Sequence, residues 1–247
     1  MNYKIYCTYH NKKLVDEYNL KETNNFKLFY TKDNLEGYSL NHLQLYLNEF
    51  VTQYYIWKNN IKSDYVGFCH YRRIININEH ILEDLQKNNI YLAQYWSLSY
   101  TSIKEEWLLD GLNIHVDLVK EYLKTNEKYV KYLENFDYIM NNQNCINFGE
   151  LYICKWEIFD KLMNFIEGYI QFLFYKLFNI EYKELYEYTL EEYQILIKYL
   201  NDTNLNLHKE EHIKRGDYSR NLTFFGGDRA LGFAIEMTEA LFWELDK

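Results

Sequence analysis

The sequence predicts an α/β protein with a mostly parallel central sheet flanked by helices and a helical C-terminal part. Short apolar runs alternate with amphipathic stretches through the first hundred residues, and that order builds parallel sheets. From residue 101 onward the pattern turns helical. No repeat, linker or low-complexity tail divides the chain, so a single domain over residues 1–247 is expected, with a sheet-rich half (1–100) and a helix-rich half (101–247).

Residues 4–9 (KIYCTY) and 27–30 (KLFY) read as strands. Residues 41–59 place Leu43, Tyr46, Leu47, Phe50, Val51, Tyr54 and Trp57 at three-to-four spacing, which predicts one helix whose aromatic residues pack on the sheet. Residues 65–69 (YVGFC) and 90–93 (IYLA) are further strands, and 146–154 (INFGELYIC) is another that leads into a long helical stretch over 158–199. A polar, glycine-containing loop is expected over 215–228 and a closing helix over 230–245.

Composition narrows the class of ligand. The formal charge is −9, which disfavours nucleic acid as a partner because phosphate neutralisation needs clustered Lys and Arg. Residues 1–13 (MNYKIYCTYHNKK) read as a polar-flanked strand, too short and too polar to be expected as a leader peptide. No run reaches the roughly 20 apolar residues that span a bilayer. Residues 165–180 are the most apolar stretch and read as a helix that is either buried or faces a membrane surface. Cys7, Cys69, Cys145 and Cys154 are widely spaced with no CxxC pair, the pattern of free thiols in a reducing, cytoplasmic compartment. The chain has no proline, so turns and helix ends must rely on Asn, Asp and the nine Gly.

Ligands of parallel α/β sheets bind beyond the carboxyl ends of the strands. That rule puts Thr8, His10, Asp33, His70, Tyr71, Arg72 and Arg73 on one rim. Thr8 and His10 follow the first strand and suit a base or ribose. Asp33 follows the second and could accept from a ribose hydroxyl, or could equally be a turn residue. Arg72 and Arg73 are the conspicuous cation pair of an acidic chain. Guanidinium forks grip phosphate oxygens at fixed charge, which suits a small phosphorylated ligand. On spacing alone, pairing with surface carboxylates is an equal reading of the two arginines.

Residues 54–73, YYIWKNNIKSDYVGFCHYRR, resemble the core motif of the DUF4422 family, and three further blocks follow in the family's order: KIYCTYHNK, NFGELYICKWEIFDKL and DRALGFAIEMTEALF. Met237 departs from the family pattern, as do Phe148, Gly149 and Glu150. The resemblance implies a GT-A-like, nucleotide-sugar-binding glycosyltransferase of hexosyl or deoxyhexosyl type. Its donor would be a UDP-, GDP- or dTDP-sugar and its acceptor a polysaccharide-type glycan or a lipid-linked sugar. The diphosphate would rest on His70, Tyr71, Arg72 and Arg73, where many such enzymes carry a metal-binding DxD. Mn²⁺ or Mg²⁺ stays open as a cofactor, with Asp64 and Asp33 as one ligand each, and peripheral membrane contact stays open too.

An inverting transferase needs a carboxylate base. Glu236 is the first candidate, Glu150 the second and Asp117, near His115, the third. A solvated helix glutamate is the competing reading of Glu236, and a structural histidine that of His115. A non-catalytic sugar-nucleotide-binding module on the same fold is the alternative function.

Overall fold

The first strand, β1 (Tyr3–Tyr9), lies at the centre of parallel pairing in a five-stranded sheet. The computed structural model describes residues 1–33, 35–93, 95–97, 102–103, 113–143, 145–147, 151–215 and 230–246. These divide into two compact units. One comprises Met1–Tyr95 with Asn147–Phe165, the other Trp96–Ile146 with Ile166–Lys247. The first unit is thus built from two separate segments of the chain.

In the first unit β1 is flanked by β2 (Phe26–Tyr30) and β3 (Tyr65–His70), both parallel to it. Two further strands, β4 (Ile90–Leu92) and the strand Tyr152–Lys155, complete the order β2-β1-β3-(152–155)-β4. The strand from Tyr152 runs antiparallel to both its neighbours. Four strands thus point the same way and one is reversed. The sheet is mixed, and its parallel run is β2, β1 and β3.

Helices cover both faces. Alternation puts Ile5, Cys7, Tyr65, Cys69 and Ile153 on one face, in a core with Ile81 and Leu85 of helix Glu79–Asn88 and with Leu20. On the other face Phe68 packs against Tyr6, Tyr152 and Phe159. There the buried Thr8 hydroxyl donates to the Thr52 hydroxyl at 2.9 Å, and the Tyr152 hydroxyl donates to Gln53 Oε1 at 2.8 Å. Tyr54 is wholly buried as expected, whereas Tyr55 and Trp57 are only half-buried.

After a first helix, α1 (Lys13–Glu17), the helix expected over 41–59 is broken into a short turn, α2 (Gln44–Leu47), and α3 (Phe50–Lys58). The cause is Asn48, whose φ of 52° cannot continue a right-handed helix. Among the described residues every non-glycine residue at positive φ is an asparagine: Asn19, Asn48, Asn60, Asn89 and Asn179. Asn89 ends helix Glu79–Asn88, and Asn78 caps its start by accepting from the Ile81 N–H at 3.0 Å. A proline-free chain has placed its stops with asparagine. Asn179 similarly splits the stretch expected over 158–199 into helices Trp156–Phe178 and Leu190–Arg215. The strand expected over 146–154 is likewise two strands, Cys145–Asn147, paired with Tyr95–Ser97, and Tyr152–Lys155.

The second unit is helical in its described residues apart from strand residues at its edges. Its helices are Asn113–Thr125, Leu133–Asn142, the later part of Trp156–Phe178, Leu190–Arg215 and Ala230–Leu245. Ile166, Tyr169, Ile170, Leu173 and Phe174 are fully buried, which resolves the apolar stretch as core rather than membrane-facing surface. Among the described residues no helix is long and apolar enough to cross a membrane. The closing helix has the expected bounds; of the loop expected over 215–228, Arg215 belongs to the helix Leu190–Arg215 and the rest lies outside the described residues.

Gly67 allows the close approach of β3 to its neighbours. A Cβ there would stand 2.7 Å from Ile153 Cγ1 and 3.0 Å from the Tyr152 carbonyl oxygen. Gly67→Ala should lower stability by about 1–3 kcal/mol through overpacking, measured by urea denaturation. An unchanged midpoint would show that the sheet spacing is adjustable.

Candidate functional site

Three parallel strands end side by side on the carboxyl edge of the sheet. Thr8 of β1 is in register with His70 of β3, and the Thr31 N–H, just beyond β2, donates to the Tyr9 carbonyl at 3.0 Å. The Asp33 N–H donates to the carbonyl of Tyr30, the last residue of β2, at 3.1 Å, which places Asp33 at the same edge. The edge rule applied to the sequence therefore brings Thr8, His10, Asp33 and His70–Arg73 to one rim of the first unit.

How β3 ends is specific. The Arg73 N–H donates to the His70 carbonyl at 2.8 Å, closing a tight turn with Tyr71 and Arg72 at its centre. His70 organises this turn through its ring as well. Its Nδ1 accepts from the Arg72 N–H at 3.3 Å, and its Nε2 lies 3.1 Å from Glu49 Oε1. A ring nitrogen that accepts a backbone N–H leaves the other to carry the proton, so Nε2–H points at Glu49.

Tyr71 is 8% exposed and belongs to the sheet core, with the rings of His10 and Tyr18 edge-on at 5.5 and 5.3 Å. The Arg72 guanidinium lies 5.4 Å above the Tyr71 ring. Arg72 and Arg73 themselves are exposed. Expected as ligand contacts, Thr8 and Tyr71 are turned inward, because the Thr8 hydroxyl is committed to Thr52 and the Tyr71 ring to the core. They support the rim. His10, Asp33, Arg72 and Arg73 face solvent on it.

Sequence periodicity hides the role of Glu49, because it stands within the helix expected over 41–59, 21 residues before its partner. Only the break at Asn48 and the start of α3 direct its carboxylate to the end of β3. Asp64 is at the opposite edge. Its carbonyl accepts from the Trp156 N–H at 3.1 Å, and its carboxylate accepts from the Asn2 N–H at 3.2 Å. The six residues of β3 separate that edge from the rim by about 20 Å. Asp64 and Asp33 therefore cannot share a cation, which corrects the expected ligand pair. Among the described residues no group of three His, Cys, Asp or Glu is arranged to hold a metal.

The carboxylate candidates lie elsewhere in the chain. Glu150 is outside the described residues. Glu236 is half-buried on the helix Ala230–Leu245, where Glu239 and Glu244 are buried at 2% and 6% exposure. These two buried acids on an apolar helix were visible in the sequence only as ordinary helix glutamates. Asp117 is exposed, and His115, two residues before it on the same helix, is buried at 1% exposure. Two residues apart on a helix do not face each other, so the expected His–Asp neighbourhood does not form. Instead His115 Nε2–H donates to the Ala234 carbonyl at 2.8 Å, and Nδ1 accepts from the Tyr169 hydroxyl at 2.7 Å. Burial drives its imidazole down to about 4, against the Ala234 hydrogen bond, which pulls the other way. It is a structural histidine held neutral.

Residues 4–211 match the family model described as "Domain of unknown function (DUF4422)". The chain belongs to the DUF4422 family. None of the curated proteins compared with this DUF4422 chain matches it. Among solved structures it resembles "WbbM bifunctional glycosytransferase apo structure", with a TM-score of 0.60 and 16% identity over 87% of this chain. That similarity is one of fold, α/β and GT-A-like, and this chain spans 43% of the other's length.

The neutral His115 makes the DUF4422 protein sensitive to acid. A histidine held below its ordinary value contributes fully above about pH 6.5, and the contribution is lost as pH falls from there through about 4. Stability should drop by about 2 kcal/mol more between pH 7 and pH 5 in the wild type than in His115→Gln, read from urea midpoints. Parallel pH profiles would contradict this assignment.

Proposed function

We propose that this protein transfers a sugar from a nucleoside diphosphate donor to a hydroxyl of a glycan or lipid-linked acceptor. The observation that carries the reading is the pair of exposed guanidinium groups, Arg72 and Arg73, on a fixed turn at the carboxyl edge of a GT-A-like sheet. Two adjacent forks there match a diphosphate, and they need no metal to hold it. Such cations also stabilise the charge that develops on a departing diphosphate. Asp33 and His10 face solvent along the same edge and suit the ribose and base. Glu49 and His70 act as positioning residues, because they fix the turn that presents the arginines.

In the proposed reaction the acceptor oxygen forms a bond to the anomeric carbon, and the bond from that carbon to the diphosphate oxygen breaks. The diphosphate leaves with the electron pair, and a carboxylate takes the acceptor proton. Glu236 is the first candidate for that carboxylate, with Glu150 and then the exposed Asp117 behind it. A UDP-, GDP- or dTDP-linked hexose or deoxyhexose would serve as donor, drawn from the cytoplasmic pool, with polysaccharide assembly as the setting.

Arg72→Ala should weaken nucleoside diphosphate binding at least tenfold in calorimetry while leaving the circular dichroism spectrum unchanged, about the cost of one lost charge-assisted pair. Unchanged affinity would remove the turn from the mechanism. Glu49→Ala should weaken the same binding about fivefold, and Glu49→Gln, which keeps an acceptor for Nε2–H, should restore most of it. Equal losses in both variants would show that the charge, not the hydrogen bond, matters. Diphosphate binding without release from any nucleotide sugar would favour the binding-module alternative.

A further inference from the structure

The first unit carries a second concave feature at the sheet edge opposite the arginines. It is an open cleft of about 330 Å³ lined by Trp57, Asn60, Lys62, Trp156, Glu157 and Asp160. Its walls come from two elements brought together by the start of β3. Trp57 stands in the last turn of α3, and Asn60 follows it at a φ of 55°, reversing the chain into β3. Trp156, Glu157 and Asp160 form the first turns of the helix Trp156–Phe178, tied to the entry of β3 by the Trp156 N–H to Asp64 carbonyl bond.

The chemistry of the lining is mixed in a particular way. Two indoles supply the apolar wall. Trp57 is fixed in orientation by its Nε1–H, which donates to Asp160 Oδ1 at 2.7 Å. Among the described residues neither the Asn60 amide nor the Glu157 carboxylate has a hydrogen-bond partner, so both offer polar atoms to the cleft. The Lys62 ammonium lies 5.7 Å from the Trp156 ring centre, and Lys58 caps one face of Trp57 at 4.7 Å. Lys62 is exposed and can swing aside to donate to a ligand.

This set sorts ligand classes. Two carboxylates against one lysine in the lining repel a second phosphate. The open, largely polar walls suit neither a lipid chain nor an apolar small molecule. A ring with an apolar face and a rim of hydroxyls fits: the indoles take the face, the carboxylates and the amide carbonyl accept from hydroxyls, and Lys62 and the amide N–H₂ donate. The volume is at the lower end of the roughly 300–1,000 Å³ of small-molecule sites, which suits one sugar ring of a longer chain.

We propose that this cleft is a carbohydrate subsite that holds a neutral sugar residue of a glycan, about 20 Å from the donor rim across the sheet. The sugar-transfer reading supplies the glycan, and on that reading the acceptor is an oligomer or polymer gripped away from the transfer point rather than a single sugar. The subsite itself needs no turnover.

The test uses the full chain in calorimetric titrations with two kinds of probe. One is a panel of neutral tetrasaccharides of glucose, galactose, mannose and rhamnose; the other is UDP, GDP and dTDP. At least one tetrasaccharide should bind the wild type, and Glu157→Ala and Asn60→Ala, both at exposed positions, should each weaken it about tenfold without touching nucleotide affinity. Arg72→Ala should do the reverse. Failure of every tetrasaccharide to bind, or binding that survives both cleft variants, overturns the subsite. Nucleotide binding that is absent from the wild type, or that survives Arg72→Ala, counts against the donor rim and leaves the subsite standing.

Discussion

The register between β1 and β3 is the constraint on which the rim depends. Parallel pairing sets Thr8 opposite His70, so the chain that leaves β3 must turn at the same edge where β1 gives way to His10. Gly67 lets β3 lie close to the reversed strand beside it, and Tyr71 anchors the turn in the core directly after the strand ends. With Tyr71 buried, the residues on its far side have nowhere to go but solvent. The two guanidinium groups are exposed because the aromatic residue before them is not.

Glu49 and His70 convert that placement into a fixed shape. A carboxylate beside a proposed diphosphate site would oppose an anionic ligand if it faced outward. Here it is directed at a ring N–H, and the ring's other nitrogen holds the backbone of the turn. The acidic chain thus presents a local cationic point without a general positive surface. In the second unit polar groups are handled by the same logic, where buried His115 donates to the Ala234 carbonyl beside the Thr238 hydroxyl, accepts from Tyr169 and is kept neutral.

Much of this was legible from residue patterns. Short apolar runs alternating with helical stretches located the parallel strands, and the rule about strand ends gathered His10, Asp33 and the arginines at one edge. Missing proline pointed to Asn, Asp and Gly for turns and helix ends, and among the described residues five asparagines and Gly37 take up positive φ. What periodicity could not show was direction and partnership. Nothing in INFGELYIC says that its second half runs antiparallel between β3 and β4. Burial of Tyr71 beside exposed Arg72 is set by neighbours 61 and 53 residues away, His10 and Tyr18. Asp33 and Asp64 looked close as strand-flanking acids, yet one follows a strand and the other precedes one, so the sheet separates them. Glu49 was hidden by an expected helix that a single asparagine interrupts.

The most direct test of the central claim is a crystal structure of the protein with a bound nucleoside diphosphate. The account predicts phosphate oxygens within hydrogen-bond distance of the Arg72 and Arg73 guanidinium groups, with the His70–Arg73 turn unmoved and the nucleoside running along the edge towards His10 and Asp33. A diphosphate bound away from that edge, with both arginines left in solvent, would contradict it.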